Sequence, residues 1–76
     1  MIVYEKVLNI LKEISGKEKI ERSHNLQNDI GLDSLGLVAL LVKIENEFNI
    51  QLGESDMNPY DLLTVDDVIK LVNKYK

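Results

Sequence analysis

The stretch Asp29-Ile30-Gly31-Leu32-Asp33-Ser34-Leu35-Gly36-Leu37 is where a polar, aperiodic segment gives way to a densely apolar one. It reads as the opening of a helix. Asp33 or Ser34 suits the N-cap position, because a side-chain oxygen there accepts one of the backbone N–H groups that a first helical turn leaves unpaired. Those free N–H groups and the positive end of the helix dipole also favour an anion at this spot, phosphate above all. Ser34 therefore has two readings: a cap that belongs to the fold, or a hydroxyl placed to carry a phosphate.

The helix that follows is expected over Ser34 to Phe48. Residues placed at steps of about 100° put Leu37, Leu40, Leu41, Ile44 and Phe48 on one stripe, which is the core face. Leu35, Val38 and Val42 fall on a second stripe roughly 130° away. A domain of three or four short helices does not cover both. The second stripe begins beside Ser34 and is flanked by Asp33 and Glu45, so it is expected to be a partly exposed apolar strip with an acidic rim, the usual mark of a partner site. The competing expectation is that the last helix or the long connection buries it.

Upstream, Val3, Val7, Ile10, Leu11 and Ile14 recur at helical spacing over residues 2–14, and Ser15-Gly16 supplies the stop. Residues 17–33 form a long connection without a sustained period, to be pinned by Leu26 and Ile30, with Ile20. Gly31 suits a turn into the next helix. His24, the single histidine, reads as solvated, and neither a metal site nor a catalytic triad can be built on it. Downstream, residues 49–53 close the second helix. A short helix is expected over residues 54–60, capped by Ser55 and kept short by Asn58-Pro59. Asp56, Asn58 and Asp61 do not make a calcium loop, since Tyr60 and Asp61 stand where that motif needs an oxygen ligand and a glycine. Thr64-Val65-Asp66-Asp67 starts a last helix, with Val65, Val68, Ile69, Val72 and Tyr75 inward and Lys70 and Lys74 toward its far end. The fold class is all-α, an up-and-down bundle of three main helices plus one short helix.

With 76 residues the chain is read as a single domain spanning 1–76. Cysteine is absent, which excludes disulfides, thiolate metal sites and a cysteine nucleophile. The first residues lack the zones of a signal peptide and no apolar run approaches a membrane span, so a soluble, cytoplasmic protein is expected. The net charge of −4 is unevenly spread: residues 29–67 hold nine acids against Lys43 alone, a net of −8, while both ends are basic. Such a field repels nucleic acid and attracts a basic partner surface in a salt-dependent way. Ser34 has no histidine or lysine at a predictable distance to activate it, and the chain has no glycine-rich phosphate loop. It is a poor candidate for an enzyme, with no catalytic and no metal-ligating residues.

Leu26, Asp29-Ile30-Gly31, Leu32-Asp33-Ser34-Leu35, Val38, Leu41, the run Glu45 to Phe48 and the later Leu63-Thr64-Val65 together resemble the acyl carrier protein family, over most of the chain. The resemblance implies that family's helical fold, as a stand-alone monomer. It implies that Ser34 carries a 4′-phosphopantetheine arm through a phosphodiester, moved from coenzyme A by a separate phosphopantetheinyl transferase. The arm's thiol would hold a thioester, loaded by an acyl- or aminoacyl-activating ligase and passed to downstream acyl-transferring enzymes. Asp33 would meet basic groups of the transferase, Leu35 and Val38 its apolar contacts, with Val42 and Glu45 completing the partner-binding surface. The chain departs from fatty-acid carriers at Gly36, Ala39 and Asn46, where acids are usual. The expected cargo is an acyl intermediate of fatty-acid or polyketide-type biosynthesis. The alternatives are an aminoacyl or peptidyl carrier, including a D-alanyl one, and a non-carrier module that grips a partner helix with Leu35, Val38 and Val42.

Overall fold

The computed structural model describes residues 2–53 and 62–75. Three helices run through them: α1 (Ile2–Ser15), α2 (Ser34–Phe48) and α3 (Val65–Lys74). The short helix expected over residues 54–60, with its Ser55 cap, lies outside the described residues. The all-α architecture is as the periodicity predicts.

α1 packs on both of the others. Its Val7, Ile10 and Leu11 are buried, and Val3 and Ile14 lie partly buried against the same core. The helix stops where glycine can take a left-handed conformation: Gly16 has φ 76° and donates its N–H to the Lys12 carbonyl at 2.9 Å. From α2, Leu37, Leu40, Leu41 and Ile44 are wholly buried and Phe48 nearly so. From α3 come Val65, Val68, Ile69, Leu71 and Val72. Leu71 was not on the expected inner face; Tyr75, which was, is only half-buried and accepts the Gly53 N–H through its hydroxyl at 3.1 Å. Each fully buried aliphatic side chain contributes about 1.5–3 kcal/mol over leaving it exposed.

The long connection between α1 and α2 is pinned twice. Ile20, Leu26 and Ile30 are buried, as expected, and Leu32 joins them. Its backbone also pairs with the segment leading into α3: Leu26 donates to Leu63, Val65 to His24 and Asp66 to Arg22, at 2.8, 3.1 and 3.0 Å, around an isolated antiparallel bridge between Asn25 and Thr64. Pairing of this kind satisfies backbone groups that a loop crossing the core would otherwise strand. Arg22 then reaches Asp66 through its guanidinium and lies over the Tyr4 ring, 5.7 Å from its centre. His24 is not simply solvated. It is half-buried, and its Nδ1 accepts the Glu21 N–H at 3.1 Å, because the tie to α3 on either side holds the imidazole against its own turn.

Candidate functional site

The start of α2 assigns the two candidate caps. Asp33 has extended backbone angles (φ −91°, ψ −173°), its Oδ1 accepts the Gly36 N–H at 2.8 Å, and its carbonyl accepts the Leu37 N–H at 2.9 Å. Asp33 is the N-cap. Ser34 is thereby the first helical residue, exposed to solvent, with no hydrogen-bond partner for its hydroxyl among the described residues. The backbone N–H groups of Ser34 and Leu35 likewise have no acceptor there, as the geometry of a helix start dictates. An exposed hydroxyl unused by the fold, at the electropositive end of a helix, fits a covalently held phosphodiester.

The approach to Ser34 is built to hold that position. Asp29 accepts the Asn25 N–H at 2.7 Å and the Asn25 carboxamide oxygen accepts those of Gln27 and Asn28, closing a turn. Gly31 then reverses the chain at φ 88°, a conformation that side chains with a Cβ rarely adopt, and Leu32 drops into the core. Gly36 matters for a different reason. A Cβ there would stand 3.2 Å from Leu32 Cδ2 and 3.4 Å from Asp33 Oδ1, so glycine lets the first turn close tightly over the cap.

The second stripe of α2 is uncovered. Leu35 is 80% exposed, Val38 43% and Val42 44%, so the expected exposed strip is present and the competing expectation, that a neighbouring helix or the connection buries it, fails. The reason is topological: α1 meets α2 on the opposite stripe, that of Leu37, Leu40, Leu41 and Ile44. Glu45, expected on the rim, is half-buried and has a structural task, its Oε2 accepting the Leu52 N–H at 2.9 Å. The helix ends there in a left-handed Asn49 (φ 54°), with the N–H groups of Asn49 and Ile50 both reaching the Glu45 carbonyl. Lys43 pairs with Glu13 of α1 at 2.6 Å.

Leu63, named above only as part of the family resemblance, is a further exposed apolar residue. It precedes the α3 cap Thr64, whose side chain and that of Asp67 form a reciprocal capping box. Asp66, next in line, has its carboxyl held below the ordinary range, first by the Arg22 hydrogen bond and then by Lys70. Among the described residues no helix is long and apolar enough to cross a membrane, and no cluster of ligating side chains is gathered around an ion site.

With this geometry in place, the comparisons converge. The family model described as "Phosphopantetheine attachment site" matches residues 5–72. A D-alanyl carrier protein of Enterococcus faecalis is 40% identical over 60 residues, covering 76% of this chain and 77% of that one. A protein of Schizosaccharomyces pombe assigned as a mitochondrial acyl carrier protein is 33% identical over 69 residues, 91% of this chain; the match spans 60% of that longer protein. A solved structure from Mycobacterium tuberculosis assigned as an acyl carrier protein superposes with a TM-score of 0.85 at 29% identity, covering 95% of this chain and 96% of that one. The fold, the helix-tip serine and these likenesses place the chain in one group: it belongs to the phosphopantetheine-attachment family of carrier proteins, which bear a covalent 4′-phosphopantetheine.

Proposed function

We propose that Ser34 is the attachment point of the arm, and that the chain is a carrier which presents an acyl intermediate to enzymes of fatty-acid or polyketide-type biosynthesis. The observation that carries this reading is the division of labour at the start of α2: Asp33 caps the helix and leaves the exposed Ser34 hydroxyl unclaimed. When bound, the arm supplies a terminal thiol that holds cargo as a thioester. The chain's own residues position and present. Asp33 keeps one carboxylate oxygen for a basic group on a phosphopantetheinyl transferase, while Leu35, Val38 and Val42, with Glu45 at the far edge, form the surface met by that transferase, by the loading ligase and by downstream acyl-transferring enzymes. No catalytic role is assigned to the chain, and it works as a cytoplasmic monomer.

A second reading is favoured by a specific observation. The likeness to a D-alanyl carrier, together with Gly36 and Ala39 where fatty-acid carriers have acids, supports an aminoacyl cargo. Both readings share the tether. Incubation with coenzyme A and a broad-specificity transferase is expected to add one phosphopantetheine to the intact mass, and Ser34→Ala to abolish the addition. A chain that stays unmodified with several competent transferases would leave the non-carrier interaction module standing. The cargo is then read by offering the loaded chain fatty-acyl and D-alanyl activating ligases in parallel.

A further inference from the structure

The turn that leads toward Ser34 is gathered onto one residue, the half-buried Asn25. Its carbonyl accepts the Asp29 and Ile30 N–H groups at 2.9 and 3.0 Å, its carboxamide oxygen accepts those of Gln27 and Asn28 at 2.9 Å each, and its own N–H goes to Asp29 Oδ2 at 2.7 Å. Asn25 and Asp29 thus hold each other in both directions. What leaves the turn is held as well: Leu32 donates its N–H to the Leu26 carbonyl at 2.9 Å and is buried, and Leu26 donates to Leu63, ahead of α3, at 2.8 Å. Between Leu32 and Ser34 stands only the cap, Asp33. Gln27, Asn28 and Asp29 are exposed, so water can take over the N–H groups of Gln27 and Asn28 if the Asn25 side chain is cut back, while Leu26, Ile30 and Leu32 keep their places in the core. The side-chain bonds of this turn touch little of the core; what they fix is where Ser34 stands.

We propose that Asn25 and Asp29 are positioning residues for attachment of the arm: their reciprocal hydrogen bonds hold the Ser34 hydroxyl where it can attack coenzyme A in line. This rests on the reading of Ser34 as the tether. In the transfer, Ser34 Oγ forms a bond to the phosphorus that bears the pantetheine. The bond from that phosphorus to the bridging oxygen of the pyrophosphate breaks, the adenosine bisphosphate leaves with the electron pair, and the hydroxyl proton passes to a base of the transferase. Such a step needs the attacking oxygen in near-attack geometry, and a displacement of about 1 Å costs on the order of 100-fold in rate. Asp29 then acts through the hydrogen bond it accepts, and its charge is incidental.

The test measures kcat and KM for the whole chain as substrate, by intact mass, with coenzyme A and a broad-specificity transferase, at a temperature where circular dichroism shows each variant folded. Asn25→Ala and Asp29→Ala should each lower kcat about tenfold with KM within about twofold of wild type, the pattern of a nucleophile out of place. Asp29→Asn removes the charge but keeps an oxygen for the Asn25 N–H, so its kcat should stay within about twofold of wild type. The double alanine variant should be slower than either single one by no more than about twofold, because both break one bonded unit. An Asp29→Asn variant as slow as Asp29→Ala overturns the proposal by making the carboxylate charge the agent, and a raised KM with kcat retained overturns it by making the two residues docking contacts. Alanine variants that load like wild type overturn it too, as does loss of helix in both, which would make the turn a folding element. All four of these outcomes leave the tether standing. Absence of loading in the wild type, or loading that persists in Ser34→Ala, overturns the tether itself and this proposal with it.

Discussion

At the scale of single residues, the behaviour of α2 turns on which of two adjacent side chains caps it. Asp33 does, so Ser34 is free of structural duty and Ser34→Ala should leave stability within about 0.5 kcal/mol of wild type, as for other exposed sites. Asp33→Ala should cost about 1 kcal/mol, whereas Asp33→Asn keeps an acceptor for the Gly36 N–H and should fold almost as well. Urea titration separates the three. A Ser34→Ala loss as large as that of Asp33→Ala would show that the serine is the cap. Asp33→Lys combines cap loss with charge reversal and is expected to slow arm attachment far more than it lowers stability. The helix start and its preference for an anion were legible from residue types and spacing, because a cap and a helix dipole are local, while the arm was implied only by the family resemblance. The assignment of the cap was not legible, since Asp and Ser both serve and only backbone angles tell them apart.

At the scale of elements, α2 is a helix with two apolar stripes of unequal fate. Leu41 is wholly buried and Val38 is 43% exposed. Leu41→Ala should therefore cost roughly 2–5 kcal/mol, transfer and cavity together, and Val38→Ala only a few tenths to about 1 kcal/mol. Equal losses in denaturant titration would mean that something covers both stripes. Helical periodicity separates the stripes on any wheel and marked the larger one, Leu37 to Phe48, as the core face; only the packed fold shows that no neighbour covers the other. The same holds at the ends of α2 and α3. The Thr64 capping box could be read directly, because its partners lie three residues apart, while the grip of Glu45 on Leu52 joins groups on either side of a helix stop and has no signature in spacing.

At the scale of the whole molecule, the connection before Ser34 is fastened to the segment before α3, and the position of Ser34 depends on that fastening. The N–H groups of Leu26 and Val65 bridge the two segments, so hydrogen exchange should find both protected to an extent comparable with the middle of α1. Exchange at the rate of an open loop would show that the connection is held by its apolar pins alone. The amino-acid order by itself determined the three helices, the stop of α1, the capping box of α3, the core stripe, the pins Leu26 and Ile30, and a serine beside a helix start, because each of these is written within a few turns of chain. The exposure of Leu35, Val38 and Val42 was expected from the second stripe and is what the fold shows, whereas tertiary structure alone decided that His24 is held and that Arg22 crosses 44 positions to reach Asp66. Contacts between segments so far apart are set by how the helices pack, and packing leaves no period in the sequence to be read.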